Sequence, residues 1–296
     1  MKILLFGKGG QVGWELQRGL APLGEVVALD HDSTDYCGNF SNLKGLIETV
    51  RTVSPAIIVN AAAHTAVDKA ESEPELVHAL NAAAPALLAQ EAQRCGAWLV
   101  HYSTDYVFDG SGDRPWCETD APAPLNVYGQ SKLEAEQLIQ AACQRYLIFR
   151  TSWVYAARGG NFARTILRLA QERDRLTVID DQIGAPTGAE LLADVTALAL
   201  RQVLHQPSDA GLYHLVASGE TSWWGYAMHV LAQAKRLRPE LHLKASEVLA
   251  VPSNAFATAA QRPHNSRLDT RKLQSTFGVH LPSWEEGVNR MLAETL

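Results

Sequence analysis

The chain has 296 residues and a formal net charge of -6, with Lys and Arg spread thinly and no basic run. That balance argues against a nucleic-acid surface and against attachment to anionic membrane, leaving a small solute as the expected partner. Cys37, Cys95, Cys117 and Cys143 show no C-x-x-C pairing and no His at ligand spacing, which indicates reduced thiols rather than a disulfide framework or a zinc site.

In chain order, the apolar run at 3–6 is too short for a signal-peptide core or a membrane span, so a soluble, cytoplasmic protein is expected. The turn Gly7-Lys8-Gly9-Gly10-Gln11-Val12-Gly13 follows it directly. Glycines at 7, 10 and 13 permit a tight turn, close approach of backbone to a pyrophosphate, and close helix-strand packing, with a helix N-terminus facing the anion. Further apolar runs at 26–29, 56–59, 98–102 and 146–149 lack polar alternation, as strands buried on both faces do. Helical stretches at 11–21, 42–53, 68–94 and 128–143 alternate with them, which predicts an α/β fold, a Rossmann-type doubly wound parallel sheet over 1–150.

Asp30 ends the second strand, where a carboxylate can accept hydrogen bonds from an adenosine ribose and favours NAD. Neighbouring His31 softens the penalty on a ribose phosphate, so NADPH stays open beside NADH. Asn60-Ala61-Ala62-Ala63 ends the third strand with small residues, against which either a flat cofactor or a helix can pack. Ser103-Thr104-Asp105 ends the fourth, and a Pro-marked loop at 109–126 leads to Tyr128-Gly129-Gln130-Ser131-Lys132. Residues four apart share a helix face, so Lys132 is expected to favour ionisation of Tyr128, whose free pKa is about 10. Ligands of open parallel sheets bind beyond the strands' carboxyl ends, so Thr104 and Tyr128 can converge on one carbonyl. After Arg150 the pattern loosens into a helix at 160–173, a strand at 176–180, a helix at 189–204, a strand at 211–216, a helix at 222–235, a Pro-marked stretch and a final helix. Residues 151–296 are expected to form mainly a smaller C-terminal substrate-binding lobe, with elements near 189–216 returning to the sheet.

The order of glycine turn, strand-end hydroxyl and Tyr-x-x-x-Lys resembles the extended short-chain dehydrogenases/reductases. Stretches at 10–16, 60–71, 103–110, 150–155, 181–187 and 262–268 narrow the resemblance to the dTDP-4-dehydrorhamnose reductase family. The resemblance implies reduction of the 4-keto group of dTDP-6-deoxy-L-lyxo-4-hexulose to dTDP-L-rhamnose, for bacterial surface polysaccharide, by NADPH or NADH. Tyr128 would donate the proton, Thr104 would hold the carbonyl oxygen, and Lys132 would also bind the nicotinamide ribose. Cofactor contacts are expected at Gly7, Gly10, Gln11, Val12, Gly13, Asp30, Asn39, Phe40, Ala61, Ala62 and Ala63; Asn39 stands where the family often has an acid. His64, Thr65, Val67 and Asp105 would shape the sugar pocket. Trp153 would lie against the sugar or pack in the core. Arg262 and Arg267 would clamp the diphosphate or form surface ion pairs. Glu15, Glu190 and Glu294 match the family's Mg2+ ligand positions, for a structural metal at a subunit contact, or are solvated helix carboxylates; a homodimer is implied. Two other functions compete. A nucleotide-sugar epimerase or dehydratase uses the same Tyr and Lys, though dehydratases usually carry a second acid where Tyr106 follows Asp105. A regulatory subunit of the methionine adenosyltransferase type would bind without catalysis, against which the joint presence of Thr104, Tyr128 and Lys132 argues.

Overall fold

The apolar runs become five of the six strands of a parallel sheet in a computed structural model that describes residues 1–296. The first half contains β1 (Lys2–Phe6), α1 (Gln11–Leu20), β2 (Glu25–Leu29), α2 (Leu43–Val53), β3 (Ile57–Asn60), α3 (Val67–Ala70), α4 (Pro74–His78), α5 (Ala84–Cys95), β4 (Trp98–Thr104), α6 (Val127–Ala142) and β5 (Tyr146–Thr151). The second half adds β6 (Val154–Tyr155), α7 (Phe162–Glu172), β7 (Arg175–Ile179), β8 (Ile183–Gly184), β9 (Thr187–Gly188), α8 (Ala189–Val203), β10 (Gly211–His214), β11 (Thr221–Ser222), α9 (Trp223–Leu237), β12 (Glu247–Val251), α10 (Arg271–Phe277) and α11 (Trp284–Thr295).

The strand order is β10-β5-β4-β3-β1-β2, so chain direction across the sheet reverses beside β1. Both faces are covered, which is why the strands read as unbroken apolar runs. On β1, Ile3 and Leu5 enter one core with residues of α1 and α8, whereas Leu4 and Phe6 enter a second with residues of α2 and α5. A separate core joins α7, α9 and α11 through Leu167, Tyr226, Val230, Trp284 and Met291. No helix is long and apolar enough to cross a membrane.

Three local expectations need correction. The helix expected over 68–94 is interrupted: α3 and α4 are separate, and a π-helical turn at Ala79–Ala83 precedes α5. Pro74 starts a new helix, and Pro85 has no N–H to offer the carbonyl of Asn81, so the chain widens by one residue there. The Pro-marked stretch after α9 contains β12, which pairs in parallel with β7 apart from the main sheet. The C-terminus carries two helices, α10 and α11, rather than one.

Candidate active site

The strand order makes a crevice where it reverses, between the ends of β1 and β3. Gly7 adopts φ +85°, and a Cβ there would meet Ala61 C and Ala62 N at 2.7 Å. At Gly13 a Cβ would lie 1.9 Å from Gly7 O, so the turn and α1 close only because both residues are glycine. No side chain caps α1, which leaves its first-turn N–H groups for a ligand.

From this turn a cleft of about 640 Å³ runs past β3, β4 and β5 to α9. Its walls include Gly10, Gln11, Val12, Ala61 and Ala63 at one end, and Thr104, Asp105, Tyr128, Lys132 and Trp153 at the other, with Thr65 and Val67 beside them. The Thr104 hydroxyl donates to Asp105 Oδ1 at 3.0 Å and accepts from Tyr106 N at 3.2 Å. Tyr106 meets Tyr128 edge to face at 5.9 Å. The π-helical turn places buried Asn81 so that it accepts from His64 N at 2.8 Å and donates to Ser131 Oγ at 3.1 Å; Ser131 in turn donates to the Tyr128 carbonyl at 2.7 Å. The tyrosine's helix is thereby tied to the loop after β3.

The electrostatics reverse one expectation. Burial first, then the charge of Asp105, pushes the Tyr128 phenol up to about 12, partly offset by the Thr104 hydroxyl. Lys132 does not depress it. The lysine is itself 2% exposed, and burial lowers it to about 8 against the pull of Glu136. Asp105, also 2% exposed, is raised to about 6, again chiefly by burial. Ser103 Oγ, Asp105 Oδ2 and Thr151 Oγ1 are buried without a formed hydrogen bond, and all three residues line the cleft.

Other sequence candidates do not themselves line the cleft. Asp30 accepts from Gly9 N at 2.9 Å and from His31 N at 3.0 Å, so it braces the glycine turn. Asn39 accepts from Ser41 N at 2.9 Å, and Phe40 packs on Phe6 in the core. His64 lies outside the cleft, 3.4 Å from Glu73. Arg262 forks onto Asp68 at 3.1 and 2.6 Å and borders an adjoining hollow of about 420 Å³ with Gln182 and Ser253. Arg267 donates to Glu220 at 2.7 Å and borders neither space. Glu15, Glu190 and Glu294 do line one hollow, but Arg18 and Arg290 share it, engaging Glu15 at 3.4 Å and Glu294 at 3.1 Å. No three acidic, His or Cys side chains anywhere in the chain are grouped to hold a metal, so the expected Mg2+ cage is not formed within one chain.

Trp223 is a cleft residue that sequence reasoning missed. Its ring stacks on Trp153 at 3.7 Å and its Nε1 donates to Gln182 Oε1 at 3.1 Å. Trp153 stands at φ +49°, a left-handed conformation costly for a bulky residue and held here by that stack. The Trp223-Trp224 pair was visible, but nothing in its spacing ties it to residues 70 positions earlier.

The family model of the RmlD substrate binding domain matches residues 1–296. A dTDP-4-dehydrorhamnose reductase of Escherichia coli (strain K12) is 61% identical over 294 residues, 99% of this chain and 98% of that protein. The chain belongs to this reductase family. A crystal structure of the Bacillus anthracis dTDP-4-dehydrorhamnose reductase in complex with NADP superposes with TM-score 0.87 at 34% identity, covering 99% of each chain. The fold extends further: a Thermus thermophilus UDP-glucose 4-epimerase matches at TM-score 0.78 and 20% identity, covering 100% of this chain and 98% of that one. In this member of the reductase family, Thr104, Tyr128 and Lys132 share one cleft with the glycine turn.

Proposed function

We propose that the chain reduces the 4-keto group of dTDP-6-deoxy-L-lyxo-4-hexulose, giving dTDP-L-rhamnose, with NADPH or NADH. The observation that carries this reading is one continuous cleft with a glycine turn at one end and Thr104 and Tyr128 at the other. A bound nicotinamide dinucleotide supplies hydride to C4. The uncapped N-terminus of α1 and the bare backbone at Gly10 and Ala61 receive its phosphates and rings. Thr104 turns its hydroxyl proton from Asp105 Oδ1 to hold the carbonyl oxygen, and Tyr128 passes its proton to that oxygen as negative charge develops. A phenol near 12 keeps its proton at neutral pH and yields it only to a strong base such as an alkoxide. Lys132 binds the nicotinamide ribose. Trp153, backed by Trp223, offers an apolar wall to the sugar methyl. Thr65, Val67 and Asp105 complete the sugar pocket, and Arg262, at the adjoining hollow, faces the nucleotide diphosphate after exchanging Asp68 for it. We assign residues 1–150 mainly to the dinucleotide and 151–296 mainly to the substrate. On family resemblance alone, we also take the working form to be a cytoplasmic homodimer.

The test is purified protein with the 4-keto sugar nucleotide and NADPH or NADH. Oxidation of the dinucleotide with equimolar dTDP-rhamnose is expected; no oxidation with either dinucleotide sinks the assignment. Sedimentation reads the subunit count.

A further inference from the structure

Lys132 sits at the end of a buried hydrogen-bonded row. Ala62 N donates to Asn60 Oδ1 at 3.0 Å, Asn60 Nδ2 lies 3.0 Å from His101 Nδ1, and His101 Nε2 lies 3.3 Å from Lys132 Nζ. Asn60 and His101 are each 1% exposed, so water does not relieve a mismatch within the row.

The row has a direction. The backbone N–H of Ala62 can only donate, so Asn60 must turn its oxygen to Ala62 and its NH2 to the imidazole. Nδ1 must then accept, which places the proton of a neutral ring on Nε2. That N–H points at Lys132 Nζ. An amine accepts it; an ammonium, with three donors and no lone pair, cannot. Turning the ring proton to Nδ1 only moves the clash to Asn60, and turning Asn60 moves it to Ala62.

We propose that Asn60 and His101 are positioning residues that weaken Lys132's hold on its proton by presenting a fixed N–H donor to Nζ. Other charged neighbours do not undo this. Glu136, one turn along α6, is spent on Arg150 of β5, which forks onto it at 2.8 and 2.6 Å. Tyr128, on the same helix, is uncharged at neutral pH. The His78–Glu134 pair lies on the exposed side of α6. Burial already lowers Lys132, and burial first, then the nearby lysine, holds the His101 ring well below its usual range, in the neutral form the row requires.

The tautomer and the lysine titration belong to the empty protein, whatever it binds. ¹⁵N spectra of the imidazoles, with His101 assigned by its loss in His101→Gln, read the ring directly; ¹³C spectra at lysine Cε, assigned with Lys132→Met, read the titration. Above that titration the expected ring carries its proton on Nε2, and Lys132 is expected to titrate at or below about 8. A bare Nε2, or a lysine titrating above about 10, overturns the proposal. Asn60→Asp supplies the reversal. The carboxylate still accepts from Ala62 but now accepts from Nδ1–H, so Nε2 turns its lone pair to Lys132, whose titration should rise by about one pH unit or more. An inverted ring with an unmoved lysine refutes the coupling; if this variant does not fold, the wild-type ring and lysine decide alone. The consequence for turnover rests on the proposed reaction: kcat/KM for the dinucleotide should fall as pH rises through the lysine titration, and this limb should move up in Asn60→Asp. A limb that stays fixed while ring and lysine behave as stated removes Lys132 from cofactor binding, not the donor row.

Discussion

Asp105→Asn is expected to stabilise the folded chain at neutral pH and not at acid pH. The Asp105 carboxyl is 2% exposed and raised from 3.8 to about 6, because burial outweighs the help of Ser266, Thr104 and two backbone N–H groups. A group whose folded pKa lies above its unfolded value stabilises the fold fully below about 3.8 and loses that contribution as pH climbs through about 6. The gap of about two pH units corresponds to roughly 3 kcal/mol. Asparagine keeps an acceptor for the Thr104 hydroxyl and carries no charge to desolvate. Its NH2 would occupy the place of Oδ2, which has no formed hydrogen bond, and that cost applies at every pH. The decisive quantity is therefore a double difference: urea unfolding of wild type and variant, each at pH values below 3.8 and above 6. The variant should gain about 3 kcal/mol relative to wild type between the two conditions. A double difference under about 1 kcal/mol would show that the buried carboxylate is not strained by desolvation, and the argument from burial would fail. The same substitution removes the charge that helps to raise Tyr128, so the phenol should ionise at lower pH in the variant.

Tyr128→Phe should lose about 10²- to 10⁴-fold in kcat while dinucleotide affinity, read by fluorescence titration, stays within about twofold; near-normal turnover would rule out Tyr128 as the donor. Trp223→Ala should raise KM for the sugar nucleotide about tenfold through loss of the stack that holds Trp153, leaving dinucleotide affinity alone, whereas Trp223→Phe should recover most of it; an unchanged KM in the alanine variant removes Trp223 from the site. Glu136→Leu should cost about 3–5 kcal/mol in urea unfolding, because Arg150, 4% exposed, would keep its charge without a partner. Adding Arg150→Met should restore most of that loss, and a double variant as unstable as the single one would show that the pair is not what the first substitution broke.

The sheet was legible because a strand covered on both faces carries its own signature: Ile3, Leu4, Leu5 and Phe6 need no partner to announce that both sides are buried. The glycine turn was legible for a similar reason. Gly7 and Gly13 answer to steric limits set within a few residues, and the reading of a strand, a turn and a helix used only that span. Thr104 and Tyr128 could be brought together from the sequence because Thr104 ends a parallel strand, at the sheet edge where ligands bind, and the loop that follows leads to the start of the helix carrying Tyr128. Elements whose form depends on distant partners did not show themselves. β12 exists as a strand only against β7, and its half-exposed residues carry no period to betray it. The π-helical turn that delivers Asn81 to Ser131 arises from a proline at 85 meeting tertiary demands from α6.

The amino-acid sequence by itself determined the α/β order, the dinucleotide turn and the trio of Thr104, Tyr128 and Lys132, since each is encoded by local sterics, a strand end or helical spacing. Only the tertiary structure decided how those groups are charged. Desolvation depends on everything packed around a side chain, so the expected depression of Tyr128 by Lys132 gave way to a phenol near 12 and an amine near 8. It also decided the partners. Trp223 reaches Trp153, and His101 reaches Lys132, across 70 and 31 residues that no spacing rule spans.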